Sequence, residues 1–121
     1  MTDAPKKQLG NLAEQAAQDF LLAKGMQLIM QNYRCLRGEI DLIMQDKQDV
    51  VFVEVRSRRS SHYGSPVESV TKNKQRKIIH AATYFLQQKK WLNHVNYRFD
   101  VVGISQNKLE WIKNAFSTDF F

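Results

Sequence analysis

The sequence predicts a single α/β domain in which a mixed β-sheet is flanked by two helices. Three observations support this fold class: a length of 121 residues, two segments with helical spacing of apolar residues, and several short segments rich in β-branched and aromatic residues. The predicted element order is αβββαβ, with an optional final strand. We treat residues 1–121 as one domain, with a flexible start at 1–8 and a C-terminal tail at 114–121.

The first half of the chain predicts one helix followed by three strands. Apolar residues recur at helical spacing over residues 9–24, and Gly25 follows as a natural end of the helix. Strands are predicted at 26–33, 37–45 and 50–56. In the second strand, Ile40, Leu42 and Met44 are expected to share one face. The third strand is so apolar that both of its faces should be covered.

The second half predicts a loop, a helix and one or two strands. Residues 57–69 are polar and contain glycine and proline, which predicts a loop. Thr71 is a candidate N-cap for a helix that runs to about residue 90. A strand at 97–104 and a short one at 109–113 follow. Because a helix connects the third and fourth strands, we expect these strands to be parallel, with the helix as a right-handed crossover.

The positive charge is concentrated in one part of the chain. Lysines and arginines number 18 against 12 acids, which gives a net charge of +6 and a pI near 9.6. Seven cations but only two acids lie between Glu54 and Lys77. Such a cluster favours a polyanionic partner, because neutralised phosphates release counterions; a solvated, lysine-rich surface is the alternative. The cations expected to contact nucleic acid are Arg34, Arg37, Arg58, Arg59, Lys72, Lys74 and Lys77.

Cysteine content and hydropathy indicate the compartment. Cys35 is the only cysteine, so the sequence has neither a disulfide framework nor a cysteine metal cluster. No segment approaches the ~20 consecutive apolar residues of a membrane span. The first lysines are not followed by the apolar run of a secretory signal. We therefore expect a reduced, cytoplasmic location and no membrane partner.

A short polar turn between the second and third strands sets the register of two acids. If Lys47 and Gln48 are the two loop residues, Asp41 lies directly opposite Glu54. Opposed side chains in a sheet have Cβ atoms about 4.5–5.5 Å apart. Two carboxylates held so close repel each other unless a proton or a cation lies between them. A partly buried pair of oxygen ligands suits a hard cation such as Mg²⁺.

Other partners for these acids are open at this point. The same register places Glu39 opposite Arg56, and Glu54 could pair with Arg56 or with Arg37 instead of a metal. With a different register, Asp41 could cap a turn. The hairpin therefore predicts either a metal site or an ion-pair network.

Two helical residues border the predicted core and bear on the same site. Glu14 lies at the edge of the apolar stripe of the first helix, where a solvent-facing acid is the alternative. Gln75 lies one turn before the apolar positions of the second helix. Its amide could orient a water or a ligand; an ordinary boundary residue is the alternative.

Five segments together resemble the uncharacterised bacterial YraN family. They are AE-x-AA-x(2)-FL from Ala13, NYR-x(2)-RGEIDLI from Asn32, FVEVR from Phe52, K-x-KQRKI from Lys72 and RFDVVGI from Arg98. Members of that family are described as predicted endonucleases with a restriction-endonuclease-like fold, similar to archaeal Holliday-junction resolvases. The resemblance implies an αβββαβ core, branched or otherwise structured DNA as the favoured substrate, with RNA as the open alternative, and a homodimer.

The same resemblance implies a catalytic set. The nuclease signature of this fold is an Asp on one strand and Glu-x-Lys on the next, so Asp41 and Glu54 would hold Mg²⁺ or Mn²⁺. The carbonyl of Val55 would be a further ligand. Glu14 would match the acid of the first helix, and Gln75 the polar residue contributed by the second.

Arg56 departs from this signature, which has lysine at that position. Arginine stays protonated and cannot assist a water nucleophile, but it can clamp a phosphate through two hydrogen bonds. The sequence thus leaves three hypotheses: a metal-dependent endonuclease, an inactive nucleic-acid-binding module of the same fold, and a protein-interaction module. The third depends on the apolar tail at 116–121, which either packs on the sheet or forms a self-contact.

Overall fold

The elements follow one another in the predicted αβββαβ order, and the optional last strand is present. The computed structural model describes residues 6–58, 65–106 and 108–119. The helices and strands are α1 (Lys6–Ala23), β1 (Gln27–Cys35), β2 (Gly38–Asp46), β3 (Asp49–Arg58), α2 (Lys72–Gln88), β4 (Tyr97–Ser105) and β5 (Lys108–Phe116). A short 3-10 helix, Pro66–Ser69, precedes α2.

The five strands form one mixed sheet with the order β1-β2-β3-β4-β5. Strands β3 and β4 are parallel, as expected for two strands that a helix connects. The other neighbouring pairs are antiparallel. The mixed α/β sheet that the sequence predicts is therefore confirmed.

Each helix covers one face of the sheet with its own apolar core. The α1-side core consists of Ala17, Leu21, Met26, Leu42, Met44, Val51, Val53 and Val102. The α2-side core includes Tyr33, Ile40, Ile43, Val50, Phe52, Ile78, Phe85, Phe99 and Val101. Successive residues of β3 alternate between the two cores, so this strand is buried on both faces, as its composition predicts.

The turn between β2 and β3 has the predicted register. Lys47 and Gln48 form the two-residue loop, and Lys47 adopts a positive φ of 58°, as a tight hairpin requires. The paired residues run from Asp46 and Asp49 to Leu42 and Val53. The register therefore carries Asp41 and Glu54 to the same end of the two strands.

Several boundaries differ from the predicted ones. Strand β3 continues to Arg58, and Pro66–Ser69 forms a helical turn inside the segment predicted as a loop. Helix α1 begins at Lys6, within the start that was expected to be flexible. Thr71 is the N-cap of α2, as predicted, and its hydroxyl accepts a hydrogen bond of 3.1 Å from the N–H of Lys74.

The first residues of the C-terminal tail, as far as Phe116, belong to β5 and pack on the sheet. Strand β5 extends to Phe116, whose ring stacks on that of Phe99 with centroids 5.0 Å apart. Of the two outcomes predicted for the apolar tail, packing is thus the one seen for Phe116; Phe120 and Phe121 lie outside the described residues. No helix of the described part is long and apolar enough to cross a bilayer.

Two glycines permit close approaches of other elements to the sheet. A Cβ atom at Gly38 would lie 2.5 Å from the backbone oxygen of Lys77, so only glycine lets α2 approach the β1–β2 turn this closely. A Cβ atom at Gly103 would lie 2.2 Å from the ring of Pro66. The 3-10 helix is therefore seated directly on β4.

Candidate active site

Asp41 lies where β2 changes the face toward which its side chains point. Ile40 belongs to the α2-side core, whereas Leu42 belongs to the α1-side core, although the two are separated by one residue. The prediction that they share a face is wrong for Ile40. Regular pairing of β2 with β3 ends at Leu42 and Val53, so strict alternation no longer holds beyond that pair. Asp41 is the residue at the change.

Strand β1 changes face at the same level. The amide of Gln31 donates to Gln18 on α1, whereas Tyr33 packs in the α2-side core. Between them, Asn32 has a positive φ of 50°, a conformation that asparagine adopts more readily than most residues. Asn32 is also flanked by the residues that pair with the neighbours of Asp41. The two strands therefore change face together, which turns Asp41 out of the regular ladder.

The carboxyl group of Asp41 is held against β3. Its Oδ2 accepts a hydrogen bond of 2.8 Å from the N–H of Val55, in place of a regular ladder bond. The carboxyl groups of Asp41 and Glu54 lie close enough for each to change the pKa of the other. Glu54 is only 5% exposed. These two acids therefore adjoin, but they are not the directly opposed pair that was predicted, because the pairing of β2 with β3 ends at Leu42 and Val53.

The two acids together favour a proton or a cation between them. Burial, followed by the negative charge of Asp41, raises the pKa of Glu54 to about 8, although Lys74 and Arg56 oppose this. Burial also raises the pKa of Asp41 above its ordinary value, despite the hydrogen bond from Val55. At neutral pH the pair therefore retains a proton that a metal ion could replace.

A third acid, Glu14 on α1, lies beside Asp41. Helix α1 places it half-buried beside Asp41, at a small cavity of about 240 Å³ that Gln18 and Asn32 also line. Burial first, and then the negative charges of Asp41 and Glu39, raise the pKa of Glu14 to about 7. The predicted acid of the first helix is thus brought to Asp41.

The donor set fits a cation that keeps most of its own water. Among the described residues, no three His, Cys, Asp or Glu side chains are grouped closely enough to hold a metal ion by themselves. Mg²⁺ commonly binds through one or two carboxylates and retains several waters. Asp41 and Glu54 supply two adjoining carboxylates, which are the oxygen ligands that such a cation takes. The pair therefore fits a hard divalent cation better than it fits a structural metal such as zinc.

Two cations approach the same oxygen of Glu54. The Nη1 of Arg56 lies 3.3 Å from Oε2, and the Nζ of Lys74 lies 3.8 Å from it. The Nε of Arg56 also donates to the hydroxyl of Ser69 at 3.1 Å, which fixes the guanidinium. The predicted alternative, an ion pair between Glu54 and Arg56, is therefore present.

Two side chains lie elsewhere than predicted: Glu39 was expected opposite Arg56, and Lys74 was expected to contact only nucleic acid. Glu39 does not face Arg56; it forms an exposed ion pair of 3.3 Å with Arg34 on β1, because the β2–β3 ladder stops before reaching it. Lys74 lies one turn before Ile78 on α2, and that helical spacing points it toward the sheet. This spacing was the signal that could have placed Lys74 beside Glu54.

Gln75 is buried in the first turn of α2. Its Nε2 donates to the carbonyl of Val70 at 3.0 Å. Its Oε1 is buried and has no hydrogen-bond partner among the described residues, which is uncommon for a buried amide oxygen. The structure thus gives Gln75 a contact with Val70 rather than with either acid, and leaves one acceptor for a bound water or ligand.

Four of the predicted nucleic-acid-binding cations share one groove. This groove of about 450 Å³ lies between the β1–β2 turn and α2. Its charged lining is Arg34, Arg37, Glu39, Lys74 and Lys77. Arg58, at the end of β3, and Lys72, at the start of α2, do not line it. Arg59 lies outside the described residues.

A further buried acid, Asp100 on β4, has a structural role in holding β4 and β5 together. It is fully buried and accepts hydrogen bonds from Arg98, from the indole of Trp111 and from the N–H of Asn114. These contacts join β4 to β5 and leave the carboxylate well supplied with donors. We therefore do not assign Asp100 to the candidate site.

Comparison with known proteins identifies the family. The family model described as "Uncharacterised protein family UPF0102" matches residues 13–104. A UPF0102 protein of Saccharophagus degradans is 46% identical over 114 residues, which cover 94% of this chain and 97% of that protein. One of Ectopseudomonas mendocina is 51% identical over 112 residues, covering 89% and 93%, and one of Nitrosococcus oceani is 41% identical over 123 residues, covering 98% and 99%. This chain belongs to the UPF0102 family, the YraN family that its motifs resemble.

Proposed function

We propose that the protein is a nuclease that hydrolyses phosphodiester bonds in structured or branched DNA with the help of a divalent cation. One observation carries the proposal: the half-buried carboxyl group of Asp41 adjoins the buried carboxyl group of Glu54, beside two cationic side chains. An acid pair of this kind can hold a metal, and the neighbouring cations can hold a phosphate. A structural ion pair alone would not require the second acid.

The cation would be Mg²⁺ or Mn²⁺, held by Asp41 and Glu54. The carbonyl of Val55 is the further ligand that we propose, and Glu14 supports Asp41 from α1. When bound, such an ion lowers the pKa of an attacking water and neutralises charge that develops on the phosphate. The acids themselves contribute position, because the hairpin and the Val55 N–H fix the carboxylate of Asp41.

Arg56 and Lys74 together take the place of the lysine in the nuclease signature. The guanidinium of Arg56, fixed by Ser69, clamps the scissile phosphate through its remaining donors. Lys74 supplies from α2 the ammonium group that position 56 lacks. A lysine ammonium is a compact charge on a flexible stem, so Lys74 can reach a phosphate held beside Glu54. We assign the buried oxygen of Gln75 to a water of the same site.

A cleavage assay tests the proposal. Fluorescent four-way junctions, flaps and single strands are incubated with the protein in Mn²⁺ and in EDTA. We expect metal-dependent cleavage of at least one structured substrate, reduced at least about 100-fold by Asp41→Asn, because a lost metal ligand costs more than a lost supporting contact. Asp19→Asn is the control, since Asp19 is an exposed acid of α1. Cleavage that is unaffected by Asp41→Asn, or no cleavage of any substrate, would contradict the proposal.

A second candidate is a nucleic-acid-binding module without catalysis. The observation in its favour is that Arg56 and Lys74 already neutralise Glu54, so that the acid has partners without a metal. This candidate predicts salt-sensitive DNA binding that needs no divalent cation and survives Glu54→Gln. The homodimer that the family resemblance implies is compatible with both candidates. Light scattering, which gives the molar mass in solution, tests for it.

A further inference from the structure

A second depression adjoins the cationic groove and extends it away from the acids. It has a volume of about 660 Å³ and lies between residues 34–37 and the later turns of α2, where His80 and Tyr84 line it. Both depressions are lined by the same residues, 34–37. Lys74 lines the first depression and contacts Glu54. The surface is therefore continuous from Tyr84 to the candidate active site.

The charge along this surface is suited to a phosphate backbone. Arg34, Arg37, Lys74 and Lys77 line it, and Glu39 is the one acid in its lining among the described residues. Glu39 is already paired with Arg34. The remaining cations follow one another from α2 to the β1–β2 turn, so successive phosphates of one strand would meet successive positive charges.

Apolar and aromatic side chains interrupt the cations at the far end of the surface. The ring of Tyr84 projects from α2 and is 48% exposed, and Leu36 on the β1–β2 turn is fully exposed. Base pairing and stacking hide the faces of bases in a duplex. An exposed ring beside phosphate-binding cations is therefore useful mainly to an unpaired base, which can stack on it.

We propose that an unpaired DNA strand runs along this surface toward Asp41 and Glu54, with one base stacked on Tyr84 and its phosphates on Arg37, Lys77 and Lys74. This inference rests on the proposed function: if the protein cleaves DNA, the strand in the groove is the part of the substrate next to the cleaved bond. A branched substrate would thus place a single-stranded arm in the groove.

Fluorescence anisotropy in EDTA, where no cleavage occurs, measures the binding of a labelled single strand and of a blunt duplex of the same sequence. We expect Tyr84→Ala to weaken binding of the single strand at least about fivefold, because one stacked base is lost. The duplex should be affected less than twofold, roughly the uncertainty of the assay. Tyr84→Phe keeps the ring and should bind the single strand as the wild type does.

A charge comparison completes the test. Arg37→Ala should weaken single-strand binding and reduce its dependence on salt, whereas Lys108→Ala, which removes an exposed cation of β5, should change neither.

Equal single-strand affinity of the wild type and Tyr84→Ala would overturn the inference. If the wild type cleaves DNA and Tyr84→Ala still binds normally, the nuclease proposal stands and the groove is wrong. If Tyr84→Ala loses binding but no substrate is cleaved, the groove stands and the nuclease proposal is wrong.

Discussion

Replacing Glu54 with glutamine is expected to raise the melting temperature of the metal-free protein at alkaline pH by at least roughly 5 °C. The folded protein raises the pKa of Glu54 from 4.5 to about 8, mainly because the carboxylate is buried and lies beside Asp41. Glutamine has the shape of the protonated carboxyl group and carries no charge at any pH. The substitution therefore removes the cost of burying a second negative charge.

The pH dependence follows from the direction of this shift. Between pH 4.5 and about 8 the folded protein binds more protons at Glu54 than the unfolded chain does, so the stability of the wild type falls as the pH rises through this window. Each pKa unit corresponds to about 1.4 kcal/mol. The difference in melting temperature between Glu54→Gln and the wild type should thus be small at low pH and largest above about pH 8.

Thermal unfolding followed by circular dichroism in EDTA across this range measures the effect. Glu110→Gln on β5 is the matched control, because it makes the same substitution in another strand of the sheet, outside the candidate site. With Mg²⁺ added at alkaline pH, the wild type should be stabilised and Glu54→Gln should not, because a ligand stabilises the state that binds it. A lower melting temperature for Glu54→Gln than for the wild type at high pH would show that the ion pairs with Arg56 and Lys74 outweigh the repulsion.

Replacing Lys74 with alanine is expected to reduce the turnover number for DNA cleavage at least about 100-fold, while weakening substrate binding no more than the loss of one phosphate contact does. The ammonium group lies 3.8 Å from Glu54, so its removal affects the reacting end of the groove. Lys77→Ala is the matched control: Lys77 lies on the same helix and lines the same groove. Its loss should weaken substrate binding less than about tenfold, as expected for one phosphate contact.

A rescue experiment separates a catalytic from a structural role of Lys74. If Lys74 replaces the lysine of the nuclease signature, the double variant Lys74→Ala, Arg56→Lys should recover part of the lost turnover. A side chain that only neutralises Glu54 would not explain such recovery, because Arg56 already supplies a positive charge there. Equal losses in Lys74→Ala and Lys77→Ala would contradict the proposed role of Lys74.

Much of the fold could be predicted because local signals agreed with one another. The length of a hairpin turn determines which residues of its two strands pair. Because Lys47 and Gln48 could be recognised as the turn, the residues of β2 and β3 that adjoin could be predicted. The N-cap at Thr71 and the apolar spacing of α2 placed that helix, and its position between β3 and β4 implied that the two strands are parallel. These predictions required only periodicities and short-range chemistry.

The change of face at Asp41 could not be predicted in this way. Strand patterns assume regular alternation, whereas Asn32 and Asp41 interrupt it in two neighbouring strands at once. The signal was present in β1, since asparagine is uncommon inside strands and favours a positive φ. Its consequence for Asp41, however, depends on which residues of β1 and β2 pair, and this is a property of the folded sheet.

The partners of Glu54 were predicted only in part, for a similar reason. Arg56 follows two residues later on the same strand, so its ion pair with Glu54 is a local property. Lys74 reaches Glu54 only because α2 packs closely on the sheet, with Gly38 permitting the approach. Contacts of this kind depend on the packing of separate elements. For this reason the sequence alone could not show that Lys74 on α2 supplies a lysine near Glu54, where the signature has a lysine at the position of Arg56.

The central claim is that Asp41 and Glu54 together bind a divalent cation. Anomalous diffraction from crystals soaked in Mn²⁺ tests it most directly, because manganese is located without any assumption about activity. We expect an anomalous peak in contact with both carboxylates in the wild type and none there in Asp41→Asn. A wild-type map with manganese elsewhere but none between these acids, and with Arg56 and Lys74 still paired with Glu54, would contradict the claim.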